Sequence, residues 1–211
     1  MRKLSILAAS GLMAILMGCG DSPAPATAPN KTVAKAEPIS GQTAAFRMYG
    51  MARQWAPDAQ LLEMQNMHLS ETPDGAPGTG TAWEAVFTSA ALKKSRGYTY
   101  SIVEGESNLH KGSFAGPEDR FTGVKGVKTP FLMAAVKVDS DAAYKTAMET
   151  TISKAAEYDK KNPGKPITIM LERTNKHPDP AWRIVWGASA GTSNFSVLID
   201  ASTGEYLETT H

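Results

Sequence analysis

Between Pro180 and Leu207 the chain repeats with a period of two. Trp182, Ile184 and Trp186 fall on one face, a loop of Gly, Ser and Ala follows, and then Phe195, Val197 and Ile199 fall on one face in turn. Alternate residues of an extended chain point to the same side, so these two runs are strands sharing one apolar surface. A β-meander of this kind must be covered by another apolar layer. A fainter copy of the pattern runs from Trp83 to Glu104.

The rest of the composition fits an ordinary folded chain: 42% of the 211 residues are hydrophobic and 20% are charged. The formal net charge is +1, and nothing in it directs the chain to nucleic acid. A single cysteine, Cys19, excludes an intramolecular disulfide framework and any thiolate metal cluster. Its surroundings explain it. Arg2 and Lys3 precede an apolar run from Leu4 to Met17, and Leu16-Met17-Gly18-Cys19 resembles the lipobox of bacterial lipoprotein signal peptides, with Met17 a departure from the smaller residue usual there. The resemblance implies cleavage after residue 18 and acylation of Cys19, the palmitate-bearing anchor. A spanning helix needs about 20 apolar residues, and Cys19-Gly20-Asp21 stops this run sooner. With Gly rather than Asp at position 20, the sorting rule of two-membrane bacteria favours the outer membrane, facing the periplasm.

Residues 19–41 carry Pro23, Pro25, Pro29 and Pro38 among Ala, Thr, Ser and Lys, and read as an extended stalk. A helix is then expected from Ser40, its cap, to Ala56, with Ala45, Met48, Tyr49, Ala52 and Trp55 on one stripe and Pro57 as the stop. Strands are expected over Leu61 to Leu69, from Trp83 to Phe87, from Tyr98 to Ile102 and, briefly, from Leu109 to Phe114. Ala115 to Thr129 reads as a connection, and Phe131 to Val138 as a strand or an extended lead-in. Ser140 is expected to cap a long helix whose stripe is Tyr144, Ala147, Met148, Ile152, Ala155 and Ala156, ended by Asn162-Pro163-Gly164. A strand over Ile167 to Leu171 leads into the meander.

The two halves follow the same order of elements. Trp83 matches Trp182, Val86 matches Val185, Phe87 matches Trp186, Tyr98 matches Phe195 and Ile102 matches Ile199, which points to internal duplication. The second half, from about Ser153 to Leu207, resembles a PepSY domain. The resemblance rests on Ala155-Ala156, the Asn162-Pro163-Gly164 stop, the Ile167 to Leu171 strand, Trp182-Arg-Ile-Val-Trp and the ending Phe195-Ser-Val-Leu-Ile-Asp-Ala-Ser-Thr-Gly-Glu-Tyr-Leu. In that ending Asp200 or Ser202 can bond the local backbone and Gly204 can take positive φ. The first half has Glu104-Gly-Glu-Ser-Asn108 where the Asp-x-x-Thr-Gly turn belongs, and so reads as a diverged copy or an unrelated fold. The resemblance implies small helix-plus-sheet modules of secreted or membrane-attached proteins, with inhibitory or chaperone roles proposed for some and no defining catalytic residues.

Motifs for chemistry are few. Gly187-Ala-Ser189-Ala-Gly191 is a literal G-x-S-x-G, and Asp200 and His211 follow in the chain order of an α/β-hydrolase triad. A nucleophile elbow joins a strand to a helix, however, and Ser189 lies between two strands. His68, His110, His177 and His211 are scattered without metal-ligand spacing. Asp139 and Asp141 suit a helix cap better than a Ca²⁺ loop, and Gly123-Val-Lys-Gly126 is a loop with no Walker or dinucleotide pattern. Trp83, Trp182, Trp186, Tyr98 and Phe195 read as core before they read as a pocket. Lys160, Lys161 and Lys165 complement a helix end.

The expectation is an α+β chain of two tandem units, each a helix packed on a small antiparallel sheet in the PepSY or cystatin-like manner. The segments are residues 1–18 (leader), 19–41 (acylated stalk), 42–130 and 131–211. The expected function is non-catalytic: a lipid-anchored envelope module, inhibitory or regulatory, that binds a protein or peptide partner along an exposed strand edge. No cofactor, metal or catalytic residue is expected. The alternatives are a small-molecule-binding lipoprotein and, behind it, a hydrolase using Ser189.

Overall fold

Residues 37–70, 75–105 and 109–211 are described by a computed structural model; the expected anchor at Cys19, the leader and the stalk as far as residue 36 lie outside them. Helix α1 (Gly41–Trp55) buries Ala44, Ala45, Met48 and Ala52, a stripe at helical spacing. It ends because Ala56 precedes Pro57 and is forced to extended geometry, φ −145° and ψ 119°. After it come β2 (Gln60–Met67), β4 (Ala82–Ser89), β5 (Lys94–Ser101) and β6 (Gly112–Arg120), while β1 (Ile39–Ser40) and β3 (Thr79–Gly80) form a two-residue ladder beside the helix start. The second half has α2 (Ser140–Glu149), α3 (Ala155–Lys161), β7 (Ile167–Glu172), β8 (Ala181–Trp186), β9 (Ser196–Asp200) and β10 (Tyr206–Thr210).

Where two small sheets are expected from the sequence, there is one antiparallel sheet of eight strands, in the order β10-β9-β8-β7-β2-β4-β5-β6. The halves join where β2 meets β7, through Glu63 opposite Glu172, Met64 opposite Leu171 and Gln65 opposite Met170. Beyond this short ladder the buried Asn66 substitutes for backbone pairing. Its Oδ1 accepts the Ile169 N–H at 2.7 Å and its Nδ2 donates to the Ile167 carbonyl at 3.1 Å, so the junction leaves these groups satisfied.

Helices α1, α2 and α3 pack on one face, over a core that includes Trp83, Phe87, Tyr98, Leu61, Trp182, Ile184 and Trp186. The two tryptophans that begin β4 and β8 act alike. Trp83 Nε1 donates to the Ile39 carbonyl at 3.3 Å and Trp182 Nε1 to the Val138 carbonyl at 2.8 Å, each two residues ahead of its helix. Trp83 lies opposite Tyr100 and Trp182 opposite Ile199; Ala85 lies opposite Tyr98 and Ile184 opposite Val197. Equivalent positions are therefore separated by 99 residues, as Gly41 and Ser140 are. Tyr98 thus takes the place of Val197, not of Phe195, and Tyr100 rather than Ile102 takes that of Ile199.

The helix starts differ from expectation. Ser40 makes no capping bond to its own helix. Instead the Gly41 N–H donates to Ser140 Oγ at 2.7 Å and the Gln42 N–H to Asp139 Oδ1 at 2.9 Å. Asp139, not Ser140, caps α2 by accepting the Ser140 N–H at 2.7 Å. One carboxylate therefore faces the positive ends of two helices. The long helix expected after Ser140 is broken into α2, a 3-10 turn (Thr151–Ser153) and α3. Thr150, Thr151 and Ile152 are β-branched, and Ser153 Oγ lies 2.6 Å from the carbonyls of Ala147 and Thr150, diverting them from helical pairing. Ile152 is consequently 72% exposed, and it and Ala156 leave the expected stripe. The fourth strand, β6, runs to Arg120 and takes up the start of the expected connection, and residues 133–135 form a 3-10 turn rather than a strand.

Candidate functional site

The sheet face that carries no helix has its own chemistry. Its inward-facing strand positions are apolar, so the alternate ones must supply this face. Across its middle, five residues stand in one row as successive cross-strand neighbours: Met170, Gln65, Glu84, Thr99 and Phe114. In the next row Glu172 faces Glu63, Glu63 faces Val86, and Val86 faces Gly97. Over these rows lies a cavity of about 590 Å³, walled by His110 and Phe114 on one side and by Lys125 and Lys128 on the other. A smaller hollow of about 300 Å³ shares Val86, Gly97 and Lys125 with it and continues towards Phe121 and Val124. Together they make an open groove of a size suited to a ligand.

The wall with the two lysines is the connection from β6 towards the second half. It starts with the Phe121 N–H on the Lys93 carbonyl at 3.0 Å, turns through Gly123 (φ +105°) and Gly126 (φ +64°), and is fixed where the Thr129 N–H donates to the Arg173 carbonyl at 2.9 Å. Its lysines fasten it to the sheet. Lys125 Nζ lies 2.8 Å from Glu63 Oε1, and Lys128 Nζ bridges Glu63 and Glu172, 3.0 Å from Glu172 Oε2. Two glutamates directly opposite on neighbouring strands would repel; Lys128 between them turns the repulsion into a clamp. Burial pushes the Glu63 carboxyl up, but the two ammonium groups outweigh it and hold Glu63 below the usual glutamate range. Burial likewise pulls the Lys128 ammonium down, and the two carboxylates outweigh it and raise it.

Glu84 is in a different position. Its Oε1 accepts a bond from Gln65 Nε2 at 2.6 Å, and among the described residues no cation pairs with it. Among the described residues Glu84 is thus a groove carboxylate without a cation, whereas the charge of Lys125 on the opposite wall is met by Glu63.

Ser189 lies in the connection between β8 and β9, with its Oγ 2.8 Å from Thr192 Oγ1. Asp200 Oδ1 accepts the N–H groups of Ser202 and Thr203 at 2.7 and 2.9 Å, and the His211 ring sits 5.6 Å from that of Phe195. The three are not brought together. The other histidines are also apart: His68 is 2.9 Å from Thr168 Oγ1, His110 is 3.2 Å from Glu104, and His177 is 3.1 Å from Glu208. Trp83, Trp182, Trp186 and Phe195 are buried under the helices, away from the groove, and Tyr98 is buried in the same core but also borders the groove. Lys165 Nζ meets Tyr158 Oη at 2.8 Å near the end of α3.

The groove itself is absent from the sequence reading. Glu84 and Val86 were legible as the polar-facing partners of Trp83, Ala85 and Phe87. Gly97 was not, because the strand was expected to begin at Tyr98 and instead begins at Lys94.

No family model matches the chain, and no curated protein matches it. Structural comparison aligns it with the crystal structure of a candidate lipoprotein from Clostridium difficile 630, at a TM-score of 0.48 and 8% identity, covering 79% of this chain and 91% of that one.

Proposed function

We propose that this chain is a lipid-anchored, non-catalytic binding protein of the bacterial envelope, tethered through acylated Cys19 and built from two PepSY-like halves of common origin. Its partner is a protein or peptide segment, which it holds in an inhibitory or regulatory complex. The observation that carries the reading is the open groove over the sheet, a concave site whose floor sets Val86 and Gly97 beside the polar Gln65, Glu84 and Thr99. The 99-residue correspondence of Trp83 with Trp182 supports a duplicated origin. The lipobox-like Leu16 to Cys19 supports the anchor, with the periplasmic side of the outer membrane favoured by Gly20.

The outer strands offer a second binding mode. Among the described residues β6 and β10 each have one neighbour, but Pro117 and a register shift interrupt β6, and a register shift interrupts β10. Such features blunt an edge against strand addition, so the groove is preferred.

Site-specific photo-crosslinking in living cells tests this. A crosslinker at Val86 should give a discrete adduct and one at Leu207, on the β10 edge, should not. Adducts at Leu207 alone would move binding to the edge, and adducts at neither would remove the binding reading. The companion variant Cys19→Ser should shift the protein out of the membrane fraction.

A further inference from the structure

We propose, on the reading that the groove is the binding face, that it seats an organic cation with an apolar body. The cation rests over Thr99 between the Glu84 carboxylate and the Phe114 ring, and the apolar body lies on Val86 and Gly97. Register supplies the geometry. Glu84, Thr99 and Phe114 are consecutive in one cross-strand row, and neighbouring strands lie about 4.8 Å apart. A group above Thr99 is therefore one strand spacing from both outer residues, inside the reach of about 6 Å at which an aromatic face attracts a cation.

Each part of the seat is prepared. The Gln65 bond at 2.6 Å orients the Glu84 carboxylate, whose charge, unlike that of Glu63, is met by no cation among the described residues. Phe114 is 43% exposed, and with the His110 ring 5.2 Å from its own it still presents surface to a ligand. Gly97 lies within β5 without positive φ, so backbone geometry does not demand glycine there. A Cβ built on it meets nothing within 4 Å. Gly97 lies at the register shift between β5 and β6, and glycine inside a strand marks such a bulge or the close approach of a ligand or another chain; here its missing side chain also leaves the groove floor open. Lys125, at the far side of Val86 and Gly97, is already paired with Glu63, so Glu84 is the carboxylate left for the ligand.

A lysine or arginine side chain of a peptide and a free aromatic amine share this chemistry. Calorimetric titration of the full chain in neutral-lipid nanodiscs, with empty nanodiscs as blank, separates them. The probes are 2-phenylethylamine against neutral 2-phenylethanol, and the blocked dipeptide acetyl-Phe-Arg-amide against acetyl-Phe-Gln-amide. The cationic member of at least one pair should bind roughly tenfold or more tighter than its neutral partner, the worth of one charge-assisted contact, and the pair that responds identifies the source. Glu84→Gln should erase that preference, and Gly97→Val should abolish binding with the melting temperature retained. Absence of binding by both cations, equal binding by neutral partners, or a preference that survives Glu84→Gln would overturn the cation seat. Equal binding that Gly97→Val still abolishes would leave the groove as the site, whereas cation binding that survives Gly97→Val would remove the groove itself.

Discussion

Lys128 is the side chain on which the junction of the two halves turns, because it meets carboxylates from both: Glu63 of β2 and Glu172 of β7. The folded state holds Glu63 below its ordinary value of about 4.3. Its contribution to stability is therefore complete above that pH and is lost as pH falls through the lower folded value. Lys128 is raised above its ordinary value of about 10.4, so its contribution is complete below that pH and is lost as pH rises through the higher folded value. Melting temperature should hold a plateau between these limits. Lys128→Met should lower it at pH 7, and should shrink the further fall between pH 7 and pH 3, since Glu63 then has less to lose on protonation. Parallel profiles for the two proteins in thermal melts would show that the clamp contributes nothing.

Among the elements, the β9–β10 hairpin was the most legible. Asp200 Oδ1 accepts from Ser202 and Thr203, Gly204 takes φ +80°, and its N–H donates to the Asp200 carbonyl at 2.9 Å. Gly204→Val should cost about 1–3 kcal/mol of strain, read as a lower melting temperature, whereas Ser189→Ala, in an exposed connection, should leave melting unchanged. An unaltered melt for Gly204→Val would contradict the turn. Such turns are legible because their chemistry is local. The break after Glu149 was also written locally, in Thr150-Thr151-Ile152-Ser153, but the apolar spacing of Tyr144, Ala147 and Met148 continues through it and masks it. The caps were misplaced for a different reason. The donors of α1 are satisfied by Asp139 and Ser140, nearly a hundred residues away, and no window of sequence contains both ends of those bonds. The groove was hidden in the same way: its floor follows from the alternation in β4, but its lysine wall comes from a loop with no period at all.

At the scale of the whole molecule, the central pairing has a consequence for the order in which the protein can be made. Strand β2 is interior in the finished sheet, between β4 and β7, yet β7 begins 100 residues after Met67 in the chain. Contacts of such separation are slow to form, because the intervening chain must first be closed. A chain emerging from the ribosome with its N-terminus first therefore completes α1, β2, β4, β5 and β6 before a partner for the other side of β2 exists. In that interval Leu61, Met64 and the unpaired backbone of β2 present an adhesive edge of the kind that natural sheets avoid exposing. The charges on β2 offer only partial protection, since Glu63 is the one acidic residue among its eight. A chain ending at Thr129 should therefore self-associate in gel filtration at concentrations where the full chain elutes as a single small species, and supplying residues 130–211 in trans should reverse it. A well-behaved monomer from the truncated chain would mean that the first half closes its own edge, and the vulnerable interval during synthesis would not arise.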